Sequence, residues 1–264
     1  MKLPYYLLLA GLLVIFLSCS AKSNDISKSD IYFSKALNLF EDSKFSKAKS
    51  YFQNIIDQFA GTEIAVDAKY YLAYCEYELN DFQNSKQSFM IYKRYSQDIL
   101  KIQSARYMIC MCMFNLTLDH SKDQSDTYYA LEEFQTFIED YPNSKYQSEV
   151  SDKINQLRNK LAQKKINTAK LYLKTEKYDS AEIYLNQIFG EYYDTEFSDD
   201  ARLLKVILFL FREENELAEQ YLEENKTKFK NQEKFRDALN IISNTSRRFK
   251  IKNIYFLDYI NNLL

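Results

Sequence analysis

Residues Tyr178 to Ile188 read YDSAEIYLNQI. An aromatic residue is followed three places on by Ala181, then by Leu185 and Ile188 at steps of four and three. That spacing lines one face of an α-helix. The figure recurs as Phe45, Ala48, Phe52 and Ile55, as Phe82, Ser85 and Phe89, and as Ala130, Phe134 and Phe137. Ala218 and Leu222 make a weaker fifth copy, and Ala36, Ala73 and Ala169 supply small residues one helix upstream. The small residues at 48, 85, 130, 181 and 218 stand 37 to 51 residues apart. A period of that order marks stacked supersecondary units. A small residue on each helix of a pair lets the backbones approach, and rings at neighbouring positions fill the space between pairs.

Composition agrees. The 264 residues hold three glycines, two prolines, one histidine and no tryptophan, but 23 tyrosines and 19 phenylalanines. Gly11, Gly61 and Gly190 are too far apart to form a phosphate-cradling loop or a dinucleotide fingerprint. A β-sandwich or barrel needs many tight turns, in which Gly and Pro are prominent. The fold predicted is all-α, since Gly and Pro are the residues that weaken or end helices.

The repeat figure resembles the tetratricopeptide repeat, a helix-turn-helix unit of 34 residues. About five helix pairs are expected over residues 30–230, stacked as a superhelix because one pair alone cannot bury its apolar face. The front half would span 30–147 and the back half 148–230. Residues 117–125 read as a polar insert. Ser148 to Leu173 lacks Gly and Pro and keeps helical apolar spacing through Val150, Ile154, Leu157, Leu161 and Ile166, so one long joining helix is expected. Ser29-Asp30, Ser125-Asp126 and Ser198-Asp199-Asp200 are expected helix caps.

The N-terminus reads as an address. Lys2 precedes an apolar run from Leu7 to Leu17, then Ser18-Cys19. The run matches a secretory signal and is shorter than the ~20 residues that span a bilayer. A cysteine directly after a small residue resembles the lipobox of bacterial lipoproteins, although Phe16 stands where Leu is usual. The resemblance implies a signal peptide over 1–18 and a lipidated Cys19; an ordinary signal peptide is the alternative. Residues 19–29 are polar and read as a tether reaching at most about 35 Å.

No constellation for catalysis emerges, and no cofactor or metal is expected. Cys110-x-Cys112 falls on different faces of a helix, and a single His120 completes no site. Cys75, Cys110 and Cys112 are expected as small buried residues. An oxidising compartment also allows a disulfide from Cys75 to either of the others. His120 is expected in an exposed loop, and paired carboxylates such as Glu132-Glu133 on solvated helix faces. Residues 231–264 read as a basic and apolar helical extension. Nine basic residues between Lys226 and Lys252 face only Glu233 and Asp237. This segment would be either a capping helix or a dock for acidic partners or anionic head groups.

The order of signal, lipid cysteine, tether and five repeats resembles the BamD-type lipoproteins of the outer-membrane β-barrel assembly machinery. Asp123-Gln124-Ser125, Tyr129-Ala130, Phe134-x-x-Phe137-Ile138, Tyr141-Pro142-Asn143-Ser144 and Tyr178-x-x-Ala181 carry the resemblance. Ala60-Gly61-Thr62 and Ser96-Gln97 stand where a Tyr-Pro-x-Ser element is usual. The resemblance implies a non-enzymatic scaffold on the periplasmic face of the outer membrane, lipid-anchored, with no nucleic-acid partner. Its partners would be the periplasmic domains of the insertase, other assembly-complex lipoproteins and unfolded outer-membrane proteins. The alternatives are a Tol- or peptidoglycan-associated repeat adaptor and a glycan- or nutrient-binding lipoprotein.

Overall fold

The computed structural model describes residues 28–247, with side chains through Ser243. The signal segment, Cys19, most of the tether and residues 248–264 lie outside the described residues. Every regular element described is helical. Helix α1 occupies residues 28–41. It is followed by α2 (Phe45–Gln58), α3 (Glu63–Glu78), α4 (Phe82–Tyr95), α5 (Ile99–Leu116) and α6 (Ser125–Asp140). Then come α7 (Gln147–Lys174), α8 (Tyr178–Glu191), α9 (Ser198–Phe211), α10 (Asn215–Asn225), a 3₁₀ turn (Lys226–Lys228) and α11 (Gln232–Arg247). Five consecutive pairs and a final helix make up an all-α tetratricopeptide-repeat fold. Helix α1 already includes Lys28 and the buried Ser29, which the sequence assigned to the tether.

The chain forms two compact units, and the division falls inside α6. One unit comprises residues up to 116 together with 136–144; the other comprises 117–135 and 145 onward. In the first, α2 packs on α3, α3 on α4 and α4 on α5. Ala36 and Ala48 have no exposed surface, and Phe52 stacks on Tyr71 with ring centres 5.5 Å apart. The Ser85 hydroxyl donates to the Ala73 carbonyl at 2.8 Å and accepts from the Cys112 thiol at 3.3 Å. Three successive helices therefore meet through one methyl, one hydroxyl and one thiol, all fully buried.

In the second unit, α7 packs on α8, and α9 lies against α7, α8, α10 and α11. With neighbours on several sides, α9 buries Leu203, Leu204, Val206, Ile207, Leu208 and Leu210, the pattern of a helix apolar all round. Ala130, Ala169, Ala181 and Ala218 are each wholly buried, as is Ala238 on α11. Helix α11 packs on α9 and α10, so residues 232–247 form the last layer of this unit among the described residues.

The expected cap at Ser198-Asp199 is overturned. Phe197 occupies the N-cap of α9 and makes no side-chain cap bond. Asp199 is turned inward instead. One carboxylate oxygen accepts the backbone N–H groups of Lys230 and Asn231 at 2.8 and 2.7 Å, and the other pairs with Arg202 at 2.6 Å. A buried carboxylate needs such partners, and the chain entering α11 supplies them.

Four turns solve the same problem without glycine. Ser43, Asn80, Glu176 and Glu213 end α1, α3, α7 and α9 with φ between 58° and 65°. In each case the residue's own N–H reaches back three residues and the next N–H reaches back five, as in Glu176 to Leu173 and Lys177 to Tyr172. This is the Schellman motif, in which Gly is usual. The following helix begins two residues after the left-handed one, and Phe45, Phe82 and Tyr178 at that position pack on Phe40, Tyr77 and Phe211. The turns before α3 and α9 share a second device. Thr62 and Thr195 donate their hydroxyls to the carbonyls of Phe59 and Tyr192 at 2.6 and 2.7 Å. Phe59-x-x-Thr62 thus does the work of the Tyr-Pro-x-Ser element whose absence the sequence suggested.

Left-handed backbone costs a non-glycine residue about 1 kcal/mol. Replacement Glu176→Gly is expected to raise the melting temperature by roughly 2–4 °C, while Lys177→Gly, at φ −92°, lowers it. A thermal melt in which E176G is the less stable of the two would refute the turn assignment.

Candidate functional site

Helix α7 is the longest helix described, at 28 residues or roughly 42 Å. One face is apolar, with Val150, Leu157, Leu161, Ile166, Ala169 and Leu173 buried. The rest is basic. From Lys153 to Lys174 it carries six lysines and Arg158, and no aspartate or glutamate. Sequence reading placed the positive charge of the chain in its C-terminal segment, whereas α7 is a second basic element.

The polar insert folds onto this helix around Gln124. Its side-chain amide donates to the carbonyls of Asp119, Lys122 and Asp123 at 2.8 to 3.1 Å, and its oxygen accepts from the buried Thr127 hydroxyl at 2.9 Å. The Asp123 carboxylate accepts the N–H of Ser125 at 2.9 Å and caps α6. That N–H, with the Ser125 hydroxyl, holds Asp123 below the usual carboxylate range. Helix α7 then grips the insert from below. Lys160 donates to the Thr117 hydroxyl at 2.6 Å, and Lys164 to the carbonyls of Ser121 and Lys122 at 3.1 Å each. His120, expected in the open, is instead only 27% exposed and lies 3.4 Å from the Asn167 amide.

Between the insert, α7 and α8 lies an open cavity of about 550 Å³. Leu161, Lys164, Lys165 and Thr168 of α7 line one side, and Tyr128 and Tyr184 line the others. Tyr184 stacks on Tyr172 at 5.5 Å, and the Lys165 ammonium sits 5.6 Å from its ring centre. Three lysines, counting Lys122, face the single carboxylate of Asp123. The site can hold an anionic group beside an aromatic wall.

The first unit exposes a different surface. Tyr70 and Tyr74 of α3 both bond Ser104 of α5, at 2.8 and 2.9 Å. Nearby, Tyr95 is 59% exposed under the Lys69 ammonium, and Ile99 and Leu100 are 76% and 79% exposed. Asp98 accepts the N–H groups of Leu100 and Lys101 at 3.0 Å and starts α5 there. This capped start replaces the Tyr-Pro-x-Ser turn at Ser96-Gln97 and leaves two apolar side chains in solvent.

The alanines selected from the sequence, Ala36, Ala48, Ala73, Ala130, Ala169, Ala181 and Ala218, have no exposed surface. Cys19 lies outside the described residues. Cys75, Cys110 and Cys112 are buried and joined by no disulfide among the described residues, and burial pushes the Cys75 thiol up to about 12 and the Cys112 thiol up to about 11. Neither is a thiolate at neutral pH. Among the described residues no cluster of His, Cys, Asp and Glu could hold a metal ion. In the C-terminal segment, Lys234 pairs with Asp200, Lys226 with Glu223, and Lys228 bonds Asn225.

Comparison with known proteins follows the same lines. The sequence profile of YfiO, described as outer membrane lipoprotein, matches residues 24–224. The outer membrane protein assembly factor BamD of Rickettsia prowazekii (strain Madrid E) is 28% identical over 145 residues, which span 53% of this chain and 58% of that protein. A tetratricopeptide repeat protein from Parabacteroides merdae aligns over 81% of this chain and 98% of its own, with 12% identity and a TM-score of 0.29. So low a score has no bearing on the fold, which rests on the helix pairs themselves.

Gln124 is the keystone of the insert, and its loss removes one hydrogen-bond partner from the buried Thr127 hydroxyl and from three carbonyls. Gln124→Ala is expected to cost about 2 kcal/mol and to open residues 117–124 to limited proteolysis. Cleavage there at the wild-type rate would show that the insert is held by α7 alone.

Proposed function

This chain belongs to the YfiO family of outer membrane lipoproteins, and on that footing we propose that it is a non-enzymatic scaffold for assembling β-barrel proteins in the outer membrane. The family match over residues 24–224 carries this reading, and the likeness to an assembly factor supports it. The second unit would dock the periplasmic domains of the insertase, alongside other assembly-complex lipoproteins. The first would receive unfolded outer-membrane proteins. Tyrosine-lined surface suits that task, because rings give apolar contact with little dependence on sequence. The exposed Tyr95, Ile99 and Leu100 suit it as well.

Attachment would run through lipid on Cys19. No described helix is long and apolar enough to cross a membrane. A tether from Cys19 to α1 would keep the repeats within a few tens of ångströms of the bilayer. One acyl chain binds weakly, and several bind firmly.

Affinity purification from detergent-solubilised envelopes tests the scaffold reading. A large β-barrel protein with repeated periplasmic domains is expected to co-purify. Recovery of peptidoglycan or Tol-type partners in its place would move the chain to the adaptor class. For the anchor, Cys19→Ala is expected to shift the protein from the membrane pellet to the soluble fraction; retention in the pellet after a salt wash would count against lipidation.

A further inference from the structure

Elsewhere in the second unit, many of the basic side chains sit in ion pairs. Arg158 meets Asp194 at 2.6 Å, Arg202 meets Asp199 at 2.6 Å, Arg212 meets Glu182 at 2.7 Å and Asp179 at 2.5 Å, and Lys205 and Lys234 pair with Glu182 and Asp200. The three lysines lining the cavity differ. Lys164 donates only to neutral carbonyls, Lys165 lies over the Tyr184 ring, and neither they nor Lys122 form an ion pair among the described residues. Positive charge is therefore left over at a recess that also has an aromatic wall.

We propose that this cavity binds an acidic, extended segment of a polypeptide partner. Only the polypeptide nature of the ligand rests on the scaffold reading; the charge and shape come from the site. Lys164 and Lys165, four and three residues before Thr168 on one side of α7, and Lys122 on the insert would receive carboxylates. Leu161 and Tyr184 would take an apolar or aromatic side chain between them. A volume of about 550 Å³ falls within the usual range for pockets that bury a drug-sized ligand, and far exceeds one small anion. The recess is also preformed. Gln124 fixes the insert from within and Lys164 from below, so little ordering is needed on binding. Unpaired lysines would speed encounter with an acidic segment, an effect that salt weakens.

The test uses the full-length chain in non-ionic detergent. The probe is a fluorescein-labelled decapeptide alternating glutamate and tyrosine, followed by anisotropy. Saturable binding is expected, weakened tenfold or more by Lys165→Glu and by Lys122→Glu, and weakened on going from 50 to 500 mM salt. Lys47→Glu on α2, in the other unit, should leave binding unchanged, and circular dichroism should show all three variants folded. Equal affinity for a glutamine–tyrosine decapeptide, or indifference to both cavity substitutions, would overturn the proposal. Full displacement by millimolar inorganic phosphate at constant ionic strength would overturn it too, reassigning the cavity to a small anion. Any of these failures would leave co-purification of a β-barrel partner untouched, whereas absence of that partner with peptide binding intact would sink the scaffold reading alone.

Discussion

Close approach of helix backbones at small residues is the constraint on which this protein depends. Ala36 and Ala48, Ala169 and Ala181, and the trio of Ala73, Ser85 and Cys112 are wholly buried. A larger side chain at any of them would hold two helices apart, and overpacking of a filled core is costly. Once the backbones are close, rings such as Phe52, Phe89, Phe134 and Phe137 fill the remaining volume. The trio shows how chemically loose the requirement is. A methyl, a hydroxyl and a thiol all serve, provided that the polar ones bond to each other or to a carbonyl.

With its core built largely from alanine and branched aliphatic residues, the second unit deploys its charge in two ways. Part of it is consumed internally. Asp199 ties the start of α11 to α9, and Glu182 is held below its ordinary range by the bond from Lys205 and by Arg212. Lys122, Lys164 and Lys165, which form no ion pair among the described residues, line the cavity between α7 and the insert. The insert is neither long nor apolar, yet it is ordered, because one buried glutamine amide satisfies three of its carbonyls. A polar loop can be rigid when its backbone groups find partners within it.

Much of this was legible in the residues and some was not. The aromatic and small spacing around Phe45, Phe82 and Tyr178 located the second helix of three pairs, and the stretch without Gly or Pro located α7 to within a residue at each end. Three of the four left-handed turns were hidden because Ser43, Glu176 and Glu213 carry no local mark of that conformation, whereas Asn80 is of a type that adopts it readily. Ser198-Asp199 was misread as a cap because a cap motif is defined by neighbours in sequence, whereas the partners of Asp199 are Lys230 and Asn231. The basic run of α7 was present in the sequence. A count of acids across residues 153–174 would have found it.

Spacing and composition alone determined that the chain is helical, that its helices come in pairs, and which small residues lie where the pairs meet. Those are properties of local periodicity, set by the 3.6-residue turn and by side-chain volume. Tertiary structure alone decided which charges remain available. A lysine's partner is fixed by which carboxylate reaches it in space, and residues such as Lys165 and Arg212 look alike until their neighbours 20 to 40 positions away are in place.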